Sequence, residues 1–347
     1  MQFLPVDEAL RLANYSYYGQ KGRKIYEDFS TVVKCCPLVA RADALDFVRK
    51  KKGQAGASEV YDFGIGDGSF AFDFLDEVKK TDKESYMRTA YTLCDISAKL
   101  LSEAMESERA RGHLGRLHKL ETDAASEFSF SADYVRLNEL YDDLAAKLMV
   151  MRKGKVYEVL LAAGGAAKSV RKKMGEFEGE LPPAFRKMLQ QCEGRELVYN
   201  FGALAHLRNA VRALKTGGWI DIYDYGYASE EEAQEMPDEV WNAGTVREYG
   251  GQLTVDVNFA LLREEAVKFG CEVKVKRVSD RLAECFGKKF TYVDFVGGRG
   301  KRWIGYIDEG EMKARRPELK KAGYSEEFLQ GEVEEEDSYL HMRAEKH

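Results

Sequence analysis

The sequence has few of the residues that build metal or disulfide sites. Its six cysteines are scattered over 347 residues without a C-x-x-C pair, and its five histidines show no metal-ligand spacing. We therefore expect neither a zinc site nor a disulfide framework. Unpaired cysteines are typical of a reducing compartment, which predicts a cytoplasmic protein without a bound metal.

The chain also lacks long apolar runs and an excess of positive charge. No run approaches the ~20 apolar residues that span a bilayer, and the N-terminus has early acids but no secretory h-region. The net charge is −6 at pH 7, whereas a general nucleic-acid binder usually has a basic face. We expect neither membrane insertion nor nucleic-acid binding. The hydrophobic content of 44% and charged content of 32% are typical of a soluble globular protein.

A glycine-rich stretch, VYDFGIGDGSF at residues 60–70, has the pattern of a strand, a tight turn and the start of a helix. Such a turn brings backbone N–H groups close to a ligand, since glycine has no Cβ. A dinucleotide and S-adenosylmethionine are the two cofactors that commonly bind there. An ordinary glycine-rich turn without a ligand is the third interpretation.

The spacing of the glycines favours S-adenosylmethionine. Gly64 and Gly66 suit both cofactors, but a dinucleotide fold requires its third glycine at position 69, which is Ser69. The third glycine is Gly68, and Asp62 supplies the acidic residue that precedes the methyl-donor loop.

Strands that alternate with helices predict a parallel sheet covered on both faces, with ligands beyond the carboxyl ends of the strands. The strand tips then predict further cofactor contacts. Asp95 is placed to bond the ribose hydroxyls, Asp123 the adenine amino group, and Asn138 the methionyl end of the donor. The alternative for Asp95 and Asp123 is a helix or loop cap.

The glycine-rich loop and the segment around Asn138 resemble the MidA-like family of S-adenosylmethionine-dependent methyltransferases, which includes a mitochondrial factor for complex I assembly. The family loop E-x-G-x-G-x-G-x-L is matched by residues 62–70, with Asp for Glu and Phe for Leu. The family signature N-E-F-F-D-A-L-P is matched by NELYDDL at residues 138–144, without the proline.

The resemblance extends over residues 15 to 287. Further matches are SYY at 16–18, EDFST at 27–31, YDYG at 223–226, GTVREY at 244–249 and TVDVNF at 254–259. The chain departs from the family pattern at Glu27, which replaces glycine, at Asn258, which replaces aspartate, and in a charged insertion at 164–193. These departures bear on the acceptor more than on the cofactor.

The resemblance implies a class I, Rossmann-like methyltransferase fold. This is an α/β fold with a mostly parallel seven-stranded sheet and helices on both faces. We expect an N-terminal helical segment at 1–50, the methyltransferase domain at 51–300 with a helical insertion at about 164–193, and a C-terminal extension at 301–347. The extension ends in an acidic tail that is expected to be flexible.

The resemblance also implies an acceptor, because at least one family member methylates a protein arginine. Glu139, Asp142 and Asp224 are acids near the expected crevice, and carboxylates suit a guanidinium. Each of them could instead be a cap or a salt-bridge partner. The residues expected to line the same pocket are Tyr18, Asp28 and Tyr225.

The sequence thus predicts a methyltransferase acting on a protein side chain, with arginine favoured. A non-catalytic assembly protein that retains the cofactor fold and a small-molecule methyltransferase are the alternatives. A nicotinamide oxidoreductase is disfavoured by Ser69. The expected partner is a protein substrate, and a homodimer is one expectation for the assembly.

Overall fold

The computed structural model describes residues 2–21, 31–162, 171–235, 241, 244–249, 251–296, 302–331, 333 and 337–347. The helices are α1 (Val6–Lys21), α2 (Val32–Cys35), α3 (Leu38–Lys51), α4 (Ser69–Thr81), α5 (Lys83–Arg88), α6 (Ala98–Met105), α7 (Glu108–Arg111), α8 (Pro183–Gln191), α9 (Phe201–Ala213), α10 (Glu230–Glu235), α11 (Phe259–Lys268), α12 (Val278–Phe286), α13 (Glu309–Lys321) and α14 (Glu326–Leu329). The strands are β1 (Phe3–Pro5), β2 (Ser58–Phe63), β3 (Thr89–Asp95), β4 (Leu117–Glu121), β5 (Ala132–Asn138), β6 (Lys147–Arg152), β7 (Lys155–Ala162), β8 (Lys172–Glu176), β9 (Glu196–Tyr199), β10 (Leu214–Tyr227), β11 (Val246–Tyr249), β12 (Gln252–Val255), β13 (Val257–Asn258), β14 (Cys271–Arg277), β15 (Thr291–Val296), β16 (Arg302–Ile307) and β17 (Tyr339–Lys346).

The central sheet has the strand order β14-β17-β10-β5-β2-β3-β4, and the short β13 pairs with the end of β10. Strands β10, β5, β2, β3 and β4 pair in parallel, whereas β17 is antiparallel to both of its neighbours. The mostly parallel seven-stranded sheet expected from the sequence is therefore confirmed.

Both faces of this sheet are covered, because every residue of β5 is buried. Tyr134 points into a cluster with Phe47 and Trp219, while its neighbour Val135 joins a cluster with Ile220 on the other side. This alternation follows from the two-residue period of a strand. No helix among the described residues is long and apolar enough to cross a membrane.

The last strand corrects the expectation of a flexible acidic tail. Residues 339–346 form β17, which lies between β10 and β14 inside the sheet. Its apolar residues Leu340, Met342 and Ala344 are buried, and the intervening Arg343 bonds Asp221 on β10. The charged residues suggested solvent exposure because their buried partner lies more than a hundred residues away.

The insertion is also different from the expected helical segment. Residues 172–176 form β8, which pairs with β7, and only 183–191 are helical; residues 163–170 lie outside the described part of the chain. A second sheet runs β1-β7-β6-β9 with β8 on β7, entirely antiparallel. The charged β8 pairs only with β7 in this sheet, and charge is typical of an edge strand.

A small hairpin unit stands between α12 and β17. Strands β15 and β16 pair along their length, and with α13 and α14 they enclose a separate cluster of buried side chains. The domain boundary expected at residue 300 falls between these two paired strands, so the hairpin is one unit. At Gly305 a Cβ would lie 2.6 Å from Cys36 Cβ, which shows how closely β16 packs on α2.

Candidate active site

A cavity of about 1330 Å³ opens beyond the carboxyl ends of β2, β3 and β5. One end, the loop end, is lined by residues 64–67, Ser69, Phe70, residues 95–97 and Asp123. The opposite end, the helix end, is lined by α1, residues 142–145 and β12. Parallel strands bring their carboxyl ends to one edge, which explains why the predicted strand tips converge here.

The glycine loop between β2 and α4 has a conformation that requires glycine. The φ angles of Gly64, Gly66 and Gly68 are 70°, 55° and 80°, all in the left-handed region. A Cβ at Gly64 would lie 3.3 Å from Leu140 Cδ1, and one at Gly68 would lie 2.9 Å from Phe72 Cζ. The loop is therefore a tight turn that packs against Leu140 and Phe72, and its Gly64 and Gly66 line the cavity.

Asp62 lies in β2, directly before the glycine loop. It is fully buried, accepts hydrogen bonds from the Tyr91 hydroxyl at 2.8 Å and from Arg136 Nη1 at 2.9 Å, and is not among the described residues that line the cavity. Burial raises the pKa of Asp62, and the charge of Arg136 opposes that rise. The predicted acid of the loop thus forms a buried ion pair.

Asp95 lies at the loop end, and its carboxylate accepts hydrogen bonds from the backbone. It accepts a hydrogen bond from Ser97 N at 2.8 Å, while Ser97 Oγ caps α6 by accepting one from Leu100 N at 3.3 Å. Burial raises the pKa of Asp95 to about 6. Ser97 provides the helix cap, while Asp95 is bonded by the backbone of Ile65 and Ile96 as well and lines the cavity.

Two further residues complete the loop end. Asp123 is exposed, lines the cavity, and accepts a hydrogen bond from Ala125 N at 2.8 Å. Ile96 was not predicted; its side chain is 58% exposed and lines the cavity beside Asp95. An exposed apolar side chain in a cavity suits the face of a ring, but a single isoleucine after a strand gives no signal in a sequence.

Asn138 and Glu139 lie between the two ends. Glu139 has a φ of 46° and accepts hydrogen bonds from Asn138 Nδ2 at 3.1 Å, Val32 N at 3.2 Å and the Tyr339 hydroxyl at 3.3 Å. Burial raises the pKa of Glu139 to about 7. Val32 and Tyr339 were not predicted, because they are distant in sequence.

The acidic turn, residues 139–143, continues toward the helix end. Asp142 lines the cavity, is 6% exposed, and its Oδ1 has no hydrogen-bond partner among the described residues. Burial, followed by the Asp224 carboxylate, raises the pKa of Asp142 well above its usual range. The unpredicted Asp143 accepts hydrogen bonds from Asn14 Nδ2 at 3.2 Å and Gln252 Nε2 at 2.8 Å.

Asp224 has a structural position instead of the predicted catalytic one. It is fully buried and is not among the described residues that line the cavity. Its carboxylate accepts hydrogen bonds from Tyr141 N at 2.9 Å, Asp142 N at 3.2 Å and Tyr225 N at 2.9 Å. Asp224 therefore holds the acidic turn in place.

The predicted acceptor-side residues are only partly described. Tyr225 lines the cavity, and the guanidinium of Arg247 lies 5.9 Å from its ring centroid. Tyr18 belongs to the backbone of α1, but its side chain lies outside the described residues, as does the whole of Asp28.

Comparisons with known proteins agree with this geometry. Residues 42–275, more than half of the chain, match a family described as "Putative S-adenosyl-L-methionine-dependent methyltransferase". A search of curated proteins finds no significant match.

Two solved structures from Burkholderia thailandensis have similar folds. One, described as a "likely methyl transferase" bound to S-adenosyl-homocysteine, has 16% identity and a TM-score of 0.68 over 99% of this chain and 88% of that one. The other, an uncharacterized protein of the same superfamily, has 18% identity and a TM-score of 0.65 over 99% of this chain and 87% of that one.

The chain belongs to this family of S-adenosylmethionine-dependent methyltransferases. Its enzyme class is methyltransferase, and S-adenosylmethionine is its cofactor. The resemblance to the MidA-like family, the class I fold and the cofactor expected from the sequence are confirmed.

The residues at the loop end fit this cofactor. Gly64 and Gly66 line the cavity without side chains, Asp95 is placed to hold the ribose hydroxyls, and Ile96 and Asp123 are placed to hold the adenine. Asn138 and Glu139 stand where an ammonium group finds oxygen acceptors. The role of each of these residues stays a prediction.

Replacement of Gly66 should block cofactor binding. Valine is β-branched and strongly disfavoured at the φ of 55° found there, and Gly66 lines the cavity. We expect Gly66→Val to weaken S-adenosylhomocysteine by about 10- to 100-fold, the range of an overpacked site. Calorimetry of S-adenosylhomocysteine binding measures this loss.

Gly270→Val is the matched control, since Gly270 has a φ of 79°, lies in open space and is not among the described residues that line the cavity. Equal affinities of the two variants would refute the loop as the site.

Asp95 should make cofactor binding depend on pH. Its ionised carboxylate is the better acceptor for ribose hydroxyls, and its pKa is about 6. The pH profile of affinity for S-adenosylhomocysteine should therefore contain a limb that falls as the pH drops through 6. Asp95→Asn should weaken binding by about 10- to 100-fold at pH 8, the cost of a lost charged hydrogen bond, and should remove the limb near pH 6. Glu139, with a pKa of about 7, should keep its own limb in this variant. An unchanged pH dependence of affinity would show that Asp95 only holds the turn in place and does not bind the ribose.

Proposed function

We propose that this methyltransferase acts on a guanidinium, and specifically on an arginine side chain of a partner protein. The observation that supports the proposal is the acidic turn. It places Glu139, Asp142 and Asp143 in the cavity wall between the glycine loop and α1. An arginine head group needs carboxylate oxygens in this arrangement, because it presents several N–H donors in one plane.

Asp142 supplies the central acceptor in this proposal. Its Oδ1 is buried and has no hydrogen-bond partner among the described residues, whereas Asp143 is engaged by Asn14 and Gln252. Burial and the Asp224 carboxylate raise the pKa of Asp142, and Arg247 opposes that rise, so the protein alone favours the neutral carboxyl. An entering guanidinium favours the ionised form, so the site selects a positively charged acceptor.

The chain's own residues then align the acceptor and remove one proton. The cofactor supplies an electrophilic methyl group on its sulfonium. Asp142 accepts N–H bonds from the guanidinium and fixes its orientation, which is the main requirement of such a displacement. The Asp142 carboxylate takes up the proton that the acceptor nitrogen loses. Asp224 keeps the turn in register by accepting hydrogen bonds from its backbone N–H groups.

The size of the cavity supports an acceptor that enters from outside. Its volume of about 1330 Å³ exceeds the ~300–1,000 Å³ of ordinary small-ligand sites. The helix end leaves space beyond the loop end, and polar residues of α1 and of the β15–β16 hairpin also line the cavity. A side chain presented by another protein fits this shape.

The test is to identify the methylated group chemically. The purified protein is incubated with methyl-labelled cofactor and proteins extracted from its host cells, and the labelled protein is hydrolysed to amino acids. We expect the label in methylarginine. Label in methyllysine or in a small molecule would contradict the arginine proposal, and absence of transfer while the cofactor binds would favour the assembly-protein alternative.

A further inference from the structure

Arg136 is a buried cation beneath the glycine loop whose hydrogen bonds are incomplete. It lies on β5, is 2% exposed, and lines the cavity. Its Nη1 donates to Asp62 Oδ1 at 2.9 Å, and its guanidinium lies 3.3 Å over the ring of Phe70. Neither Nε nor Nη2 has a hydrogen-bond partner among the described residues.

This arrangement is costly for the protein alone. Each buried donor that is left without an acceptor costs about 1–3 kcal/mol, and a buried ion pair is seldom a net source of stability. Asp62 does not complete the set, since its other oxygen accepts from Tyr91 and neither Nε nor Nη2 of Arg136 bonds to it. Buried polar groups that a fold leaves unsatisfied are often found where a ligand binds.

The charges that line the loop end indicate which group of the cofactor Arg136 would bind. Asp95, Asp123 and Glu139 line this part of the cavity, so it is rich in carboxylates. The methionyl end of S-adenosylmethionine has an ammonium group, which suits Asn138 and Glu139, and a carboxylate, which those acids would repel. The carboxylate therefore needs a cation in the wall.

Among the described residues, two other cations line the loop end. Lys34 forms an ion pair with Asp67 at 3.7 Å, and its side chain is 34% exposed. Lys99 is exposed. Exposed ammonium groups contribute little to an ion pair, whereas a buried guanidinium that is already held in place contributes more.

We propose that Arg136 binds the carboxylate at the methionyl end of S-adenosylmethionine and makes the enzyme select donors that carry it. Phe70 and Asp62 hold the guanidinium flat beneath the start of α4. Its remaining N–H groups donate to the carboxylate of the ligand. The inference rests on cofactor binding and is independent of the acceptor proposed above.

The test is a cycle of two ligands and two proteins measured by calorimetry. The ligands are S-adenosylhomocysteine and its decarboxylated analogue, which lacks only the carboxylate. Wild-type protein should prefer the first by about 10- to 100-fold, the range of a charged hydrogen bond. Arg136→Gln should lose most of that preference, while its affinity for the analogue should change by less than about threefold.

Two results would overturn the proposal. One is equal wild-type affinities for the two ligands, and the other is an unchanged preference in Arg136→Gln, whether both affinities stay as they are or fall equally. The double variant Asp62→Asn with Arg136→Gln removes both buried charges together and serves if the single variant does not fold. Lys34→Gln is the matched control and should keep the preference; its loss there would assign the carboxylate to Lys34. All readouts are donor affinities, so they are separate from the identification of the methylated residue.

Discussion

A chain that ends at residue 337 should fail to fold. The deletion removes β17, which lies between β10 and β14 and pairs with both along its length. Burial of Leu340 and Met342 contributes about 1.5–3 kcal/mol for each side chain. Arg343 bonds both oxygens of the buried Asp221 at 2.7 Å, and leaving that carboxylate unpaired costs a further ~3–5 kcal/mol. These losses approach the ~5–15 kcal/mol that stabilises a whole domain.

Circular dichroism and urea unfolding measure this effect. We expect no cooperative transition for the truncated chain, and a partial recovery when a peptide of residues 337–347 is added. Removal of His347 alone is the control, because it follows β17 and is exposed. A truncated protein that unfolds at the same urea concentration as the full chain would show that β17 is dispensable.

The cofactor end of the site could be predicted because its signals are local in sequence. The glycine loop and the polar tips of β3 and β5 each occupy a few consecutive residues, and parallel strands bring such tips together without further information. Gly64, Gly66 and Gly68 carry the positive φ angles that the loop demands. The fold class follows from the same regular alternation of strands and helices.

The sequence-based predictions that were wrong, and the residues that were missed, involve pairings between segments distant in sequence. The sequence YLHMRAEK resembles an exposed tail, and only the partner Asp221 makes its charges compatible with burial. Asp224 lies near the carboxyl end of β10, where a catalytic acid is expected, but its carboxylate is used by the backbone of the acidic turn. Arg136 lies within a buried strand, where no local pattern reveals its contact with Asp62.

Conversion of Asp142 to asparagine should produce a large loss of methyl transfer. The substitution keeps the shape of the side chain and the backbone hydrogen bond to Asp224, but it removes the charge and the proton acceptor. Loss of a positioned general base lowers the rate by about 10²- to 10⁴-fold. Cofactor affinity should change by less than about threefold, because Asp142 lies toward the helix end, away from the glycine loop. Single-turnover transfer to the identified acceptor, together with calorimetry of S-adenosylhomocysteine, separates the two effects.

Asp143→Asn is the matched control for this variant. Asp143 lies in the same turn and lines the same cavity, but its carboxylate accepts hydrogen bonds from Asn14 and Gln252. An asparagine keeps part of that bonding, so transfer should fall by less than about tenfold. The pH dependence provides a second criterion. The raised pKa of Asp142 means that wild-type transfer should rise with pH as the carboxyl ionises, and Asp142→Asn should lose this limb. Equal losses in the two variants would make the acidic turn a source of general negative charge, without a distinct role for Asp142.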